Sequence, residues 1–456
     1  MNKITKCFSQ TRIQFILIAL LLHTIVPFFS SGFLHPDEQY YVLDFTFEKL
    51  NMIVNYQKSW EYLAGIRSFT LPMLFYCVAW PLQALGIDNP HTLSLIFRTL
   101  SSLFAFGCQL YFYHQVIKRY FFKNPPQLFL MLFLAWPLLL MHARTNSENW
   151  STSFFLLALG LLLHEQNKYK AGMLFATAFF IRFQTGFLLL PLFYFFRHNL
   201  KGLLKIGTGF LLLSLIFIYL DSSQYQKLVI TPLNYLKVNI FEDKVNSFGT
   251  NSVFFYAYKT LTKLLPFWGI ALISGLLWAL KNFPKASIYK DFLILIIPFL
   301  IIHHLIGHKE LRFLYPLLPF FIFIFAKLIE DYKKPFFTTF MISNFLAYPI
   351  LFVPLYKPIG IYQYIYNQNI QSIHTLSEQN PFEIKALLPP HIHIEQYRKD
   401  QTVRYLFAQN YSEYNSAKAL ENCIPQKSTY PLWLIENNPY GLLTKSNIWV
   451  IFKCDQ

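Results

Sequence analysis

The sequence predicts an all-α multi-pass membrane protein with about eleven transmembrane helices, followed by a small extracytoplasmic α/β domain. Three observations predict it. Of 456 residues, 54% are hydrophobic and only 14% charged, against roughly 25% charged in an average soluble domain. The apolar residues gather in runs near the length that crosses about 30 Å of hydrocarbon. The basic residues gather between alternate runs, as cytoplasmic loops require.

Taken in order, the runs lie near 13–30, 96–117, 127–142, 151–164, 170–182, 184–196, 204–220, 265–280, 291–306, 313–329 and 336–355. The first, "IQFILIALLLHTIVPFF", follows Lys3, Lys6 and Arg12, and reads as an uncleaved signal anchor despite the small residues Ser30, Ser31 and Gly32 after it. The runs at 170–182 and 184–196 admit either a re-entrant pair or one long kinked span. With the N-terminus inside and an odd number of spans, the inner loops hold Lys118, Arg119 and Lys123; Lys168 and Lys170; Arg197, Lys201 and Lys205; Lys281, Lys285 and Lys290; and Lys327, Lys333 and Lys334. Every expected inner loop is basic. The net charge of +16 is therefore spread over short clusters with no basic stripe, which excludes nucleic acid as a partner.

The opposite face receives the loop 31–95, the turns "HARTNSENW", "RFQT" and "HHLIGHKELR", the loop 221–264 and everything after about residue 356. Residues 1–356 are expected to form the membrane domain and 357–456 a soluble domain on the same outer side. In that second part Pro389-Pro390 and Asn438-Pro439 signal turns, while "YPLWLIE" and "SNIWVIF" read as short strands. Of five cysteines, Cys7, Cys77 and Cys108 lie in or near apolar runs and read as inert small hydrophobes. Cys423 and Cys454 lie in the polar C-terminal part, where a disulfide is open to them in an oxidising compartment.

The mixed polar chemistry lies on the outer face. Asp37 and Glu38 in "GFLHPDEQYY" follow Pro36 and suit two roles: first-turn acids stabilised by a helix dipole, or a general base whose pKa an apolar surroundings raises. In "HKELRFLYPLLPF", Lys309 and Arg312 can snorkel to headgroups. Orientation alone would place such cations inside, so His308, Lys309 and Arg312 are better read as a site for a phosphate held at the membrane surface. His35, Arg67, Arg144, Arg182 and Asp221 near the same boundary imply a water-accessible cavity, since ionisable groups at membrane depth are costly otherwise. His303, His304 and His308 lack an acidic partner at fitting spacing, and "HIHIE" (391–395) reads as an exposed strand edge, so no metal is expected. No phosphate loop or dinucleotide fingerprint is present. No cofactor is expected, and the activated group should arrive with the substrate.

In this order, "HPDEQYY", "SWEYLAGIRSFTLP", "RTNSENW", "LDSSQYQKLVITPLNYLKVNIFEDKVNSFGT" and "HKELRFLYPLLP" resemble the motifs of the family-22 glycosyltransferases, multi-pass mannosyltransferases of glycosylphosphatidylinositol and N-glycan precursor assembly. The His-Pro-Asp-Glu form is most similar to the glycosylphosphatidylinositol branch. The resemblance covers about residues 13–330 and implies a GT-C fold, a polyprenyl (dolichyl) phosphate mannose donor, a lipid-linked glycan acceptor and inverting transfer. It also implies chemistry on the luminal face of the endoplasmic reticulum membrane, or on the periplasmic face of a bacterial inner membrane. By that resemblance Asp37 is the base, Glu38 its neighbour in the acidic pair, and His308, Lys309 and Arg312 face the donor phosphate. "FGTNSVFFY" departs from the pattern: it keeps Gly249, Thr250 and Tyr256 but lacks the His-Pro-Trp of close relatives. Two other readings stay open: a transporter of lipid-linked saccharides, although no related halves are evident, and a GT-C transferase using another polyprenyl-phosphate sugar.

Overall fold

A computed structural model describes residues 13–53, 58–164, 167–264, 266–283, 287–332, 334–398, 403–420 and 422–455. Lys3, Lys6, Cys7, Arg12, Lys285 and Lys333 lie outside them. The chain divides into two compact units. One comprises Met1–Ser30, Lys58–Phe75 and Ile96–Val353; the other comprises Ser31–Gln57, Tyr76–Leu95 and Pro354–Gln456.

The first unit is helical, and every expected span falls on helix. Four helices among the described residues are long and apolar enough to cross a membrane: Pro90–Arg119, Leu200–Tyr225, Ser287–Leu305 and Leu311–Glu330. Leu200–Tyr225 leaves Leu211, Leu212, Leu215, Ile216 and Tyr219 exposed, the apolar surface that lipid covers. The remaining runs are shorter or interrupted, so the length criterion reaches four, or five with one bent pair, where the apolar runs suggest about eleven. The bent pair shows why. Pro125–Phe133 and Trp136–His142 meet at 55°, because Pro137 lacks an N–H and its ring crowds the carbonyl four residues back. The Trp136 N–H thereby released donates to Asn344 Oδ1 at 2.9 Å. A second interruption lies in the 170–196 region: helix Lys168–Ile181 stops at the extended residue Arg182, and a 3₁₀ turn, Phe183–Leu189, leads into Leu190–Phe195.

Close packing fixes the pair Lys168–Ile181 and Leu200–Tyr225. A Cβ on Gly172 would stand 2.0 Å from the Ile206 carbonyl oxygen, and one on Gly209 would stand 2.1 Å from that of Tyr169. Only glycine lets the two backbones approach this far.

The second unit holds a five-stranded sheet: β1 (Ser372–Thr375), β2 (His393–Gln396), β3 (Tyr405–Asn410), β4 (Cys423–Ser428) and β5 (Asn447–Cys454), in the order β2-β1-β3-β5-β4. β1 runs parallel to β2 and β3; β5 runs antiparallel to β3 and β4. Alternate residues of β5 serve opposite cores, Trp449 and Ile451 on one face and Ile448, Val450 and Phe452 on the other. "SNIWVIF" is thus a strand buried on both faces. "YPLWLIE" is not a strand: Leu432–Asn437 is helical, with Ile435 buried and Trp433 exposed. A short apolar run fits either period, and Pro431 ahead of it favours a helix start. "HIHIE" does lie on an edge strand, β2. Cys423 and Cys454 are register partners on β4 and β5 and form a disulfide.

Candidate functional site

In the first unit, the "RTNSENW", "RFQT" and "HKELRF" motifs converge on one carboxylate. Asn146 caps helix Ser147–Leu163, its side chain accepting from the Asn149 N–H at 2.9 Å, and this puts Glu148 in the first turn, where the helix dipole favours a negative charge. Glu148 Oε1 lies 3.1 Å from Arg182 Nη1 and 3.0 Å from Arg312 Nη1, with the Glu148 side chain 1% exposed. The break at residue 182 turns that guanidinium toward the cluster, and it also donates to Ser147 Oγ at 3.1 Å. Arg312 is gripped again by Glu310, Nε to Oε2 at 2.7 Å and Nη2 to Oε1 at 3.2 Å. His308 Nε2 stands 3.2 Å from Glu310 Oε1. Both guanidinium groups lie over the Phe313 ring, at 5.1 and 5.4 Å. The result is a nearly neutral, mostly buried set of two guanidiniums and two carboxylates with an imidazole at its edge.

The other residues expected near this boundary hold different places. Lys309 is buried, and its ammonium donates to the carbonyls of Ile306 at 2.7 Å, Asn251 at 3.1 Å and Gly307 at 3.4 Å. It ties the turn 306–309 to the segment after Gly249, a link that the Asn251 N–H repeats on Gly307 O at 2.9 Å. Asp221 is fully buried at the end of Leu200–Tyr225 and accepts from the Phe69 N–H at 2.8 Å, Ser68 Oγ at 3.1 Å and Thr231 Oγ1 at 2.6 Å. Arg67 pairs with Glu61, and its carbonyl accepts from the Tyr225 hydroxyl at 2.7 Å. Arg144, fully buried, donates to Ser30 O at 2.5 Å and Ser30 Oγ at 2.8 Å. Arg67, Arg144 and Asp221 therefore secure chain segments to one another, while Arg182 and Arg312 share one buried acid. Sequence reasoning gives Glu148 and Glu310 places near the outer boundary but no role in the site. The signal for them was available: two arginines at membrane depth demand anionic partners, and both acids stand within the same motifs.

In the second unit, Glu38–Leu43 is a single π-helical turn that runs into helix Asp44–Lys49. Such single π-turns occur frequently at functional sites. The two acids of "HPDEQYY" diverge there. Glu38 is 1% exposed and its Oε1 accepts from the Leu34 N–H at 2.9 Å, closing the turn on itself. Asp37 keeps its side chain 20% exposed, with His35 Nδ1 3.2 Å from its Oδ1. A third acid, Asp44, was not anticipated. It is buried, and that burial raises its carboxyl to about 7, opposed by the hydrogen bond from Gln39 at 2.7 Å. Tyr40 donates to Glu383 Oε2 at 3.0 Å, and burial together with that acid pushes its phenol up, so it remains a neutral donor. Among the described residues no group of three His, Cys, Asp or Glu side chains is placed to hold a metal.

A sequence model of the Alg9-like mannosyltransferase family matches residues 14–398. The chain is 27% identical over 333 residues to the GPI alpha-1,2-mannosyltransferase 3 of Bos taurus, covering 68% of this chain and 58% of that protein. It is 26% identical over 325 residues to the GPI mannosyltransferase 3 of Drosophila melanogaster (70% and 56% covered). It is 25% identical over 321 residues to the mannosyltransferase APTG1 of Arabidopsis thaliana (66% and 56% covered). The chain thus spans less than two thirds of the length of these relatives. Among solved structures it shares the fold of ArnT from Cupriavidus metallidurans, which was crystallised bound to undecaprenyl phosphate. The TM-score is 0.58 at 12% identity, over 96% of this chain and 97% of that one.

Proposed function

Because the chain belongs to the Alg9-like mannosyltransferase family, we propose that it is an inverting mannosyltransferase, moving mannose from a polyprenyl (dolichyl) phosphate carrier to a hydroxyl of a lipid-linked glycan. The observation that carries the reading is the convergence of Arg182 and Arg312 on Glu148, with His308 beside Glu310. Two guanidiniums held rigid in a mostly dry site are suited to stabilise the charge that grows on a departing phosphate, with no reorganisation at the moment of reaction. Glu310 is the more exposed acid, 25% against 1% for Glu148. Phosphate oxygens would compete with it for the fork of Arg312, while Glu148 keeps both guanidiniums in place. The polyprenyl phosphate of the ArnT structure supports a carrier of this chemical class.

Asp37 is the carboxylate suited to general base, since Glu38 is committed to its own turn. In the proposed step the acceptor hydroxyl gives its proton to Asp37 as its oxygen attacks C1 of the mannose. The bond from C1 to the phosphate oxygen breaks, inverting the anomeric centre, and the polyprenyl phosphate leaves with the electron pair. Lys309 would act through the turn it braces, placing His308 and Arg312. The basic loops of the sequence favour an arrangement of about eleven spans, several broken, with this chemistry on the luminal or periplasmic face.

The test uses purified protein with radiolabelled polyprenyl-phosphate mannose and mannose-terminated lipid-linked acceptors. Asp37→Asn is expected to lower turnover by about 10²-fold or more while donor binding persists. Arg312→Ala is expected to weaken donor binding. Normal turnover in Asp37→Asn removes it as the base, and absence of transfer by wild type with tight donor binding points to a different acceptor or to the transporter reading.

A further inference from the structure

The second unit contains a cavity of about 290 Å³ that no step above uses. Its wall combines Met52, from the segment that follows helix Asp44–Lys49, with Asn380, Lys385, Pro389, Pro390 and Ile394. Three features give it chemistry. The volume matches one or two sugar rings, below the roughly 300–1,000 Å³ of pockets for larger ligands. The Pro389-Pro390 pair and Ile394 offer rigid apolar faces of the kind that pack against the C–H face of a pyranose. Lys385 is exposed, and its ammonium has no ionic or hydrogen-bonding partner among the described residues, so a hydrated cation in the lining is open to an anionic ligand.

The cavity is also tied to the acidic motif within the same unit. Its wall loop carries Glu383, two residues before Lys385, and Glu383 Oε2 accepts from Tyr40, three residues after Asp37. The loop is further pinned by His91, whose Nε2 lies 3.1 Å from Leu387 O. Phe382 anchors it in the core among Tyr362, Phe407 and Trp449. A ligand seated here would be registered against the turn that presents Asp37 through one hydrogen bond and a packed aromatic cluster.

We propose that this cavity is a saccharide subsite for the acceptor, taking one or two sugar rings of a glycan that carries an anionic group, with Lys385 contacting the anion. It deepens the transferase reading above and rests on it for the word acceptor, but not for the binding itself. The probe is therefore a water-soluble, deacylated mannosyl-glucosaminyl-inositol phosphate, titrated into full-length protein in nanodiscs without any donor and read by saturation-transfer NMR. Its dephosphorylated form is the second probe. Wild type is expected to bind the phosphorylated probe at least fivefold more tightly than the dephosphorylated one. Lys385→Ala should erase that difference, and Ile394→Trp should abolish binding of both. Lys385 is exposed, so its replacement leaves the core intact even if the larger Trp at position 394 does not fold. Binding by Lys385→Ala equal to wild type for the phosphorylated probe, or no binding by wild type, overturns the subsite. Loss of probe binding in the variants of a chain that transfers no mannose keeps the subsite and sinks the transferase reading. Intact probe binding in variants of an active chain does the reverse.

Discussion

Glu148→Gln tests the buried cluster most directly. The substitution keeps the side-chain shape but removes the one negative charge lying 3.1 Å from Arg182 and 3.0 Å from Arg312. Glu148 and Arg182 are 1% and 5% exposed, so water cannot take over the role. Breaking a buried pair costs roughly 3–5 kcal/mol, because the remaining cation is stranded. The glutamine oxygen still accepts one hydrogen bond, worth about 1 kcal/mol, which leaves a loss of about 2–4 kcal/mol. With about 2.1 cal/mol/K of unfolding entropy per residue, 456 residues carry about 1 kcal/mol/K. The melting temperature should therefore fall by about 2–4 °C, measured by scanning fluorimetry at fixed detergent and lipid. Adding Arg182→Met, which removes a stranded cation, should recover part of that fall. A shift within about 0.5 °C, the size of a neutral surface change, or a double variant no better than the single one, would refute the account of Glu148 as the shared counter-ion.

Two further outcomes concern the second unit. Cys454→Ser opens a loop of 31 residues, and the chain-entropy relation puts the loss at about 3–4 kcal/mol; a melting curve that dithiothreitol leaves unmoved in wild type would contradict it. Asp44 has its carboxyl raised from 3.8 to about 7 by burial, so the fold prefers it neutral. Its contribution is full below about pH 4 and is lost as pH rises through about 7. Asp44→Asn should therefore leave stability below about pH 4 almost unchanged, raise it progressively between about pH 4 and 7, and show the full gain near pH 8.5; equal pH slopes in the two proteins would exclude Asp44 as the source.

Much of the fold was legible because hydropathy and charge report directly on the solvent each segment meets. The runs at 96–117, 204–220 and 291–306 each became one long helix. What hydropathy misses is continuity: Pro137 breaks one run and the extended Arg182 separates two others, since a backbone interruption need not change composition. The short apolar stretch 432–437 likewise carried no period long enough to tell helix from strand. In the site, residue types were legible and partnerships were not. Arg312 and Arg182 stood out as cations out of place, yet nothing in their spacing named Glu148, which lies 34 residues from one and 164 from the other. Asp37 and Glu38 looked equivalent as neighbours; a π-turn gives them opposite environments.

By itself, then, the sequence determined a membrane protein with basic loops on one side, an outer face rich in mixed charge, and a motif order shared with a family of mannosyltransferases. These are local properties, fixed by composition and spacing. Only the tertiary structure decided which charges neutralise one another, that Lys309 braces a turn, that Asp221 and Arg144 hold segments together, and that Cys423 meets Cys454. The physical reason is that the worth of a charge depends on burial and on the partner within about 3 Å, and both are set by segments distant in the chain.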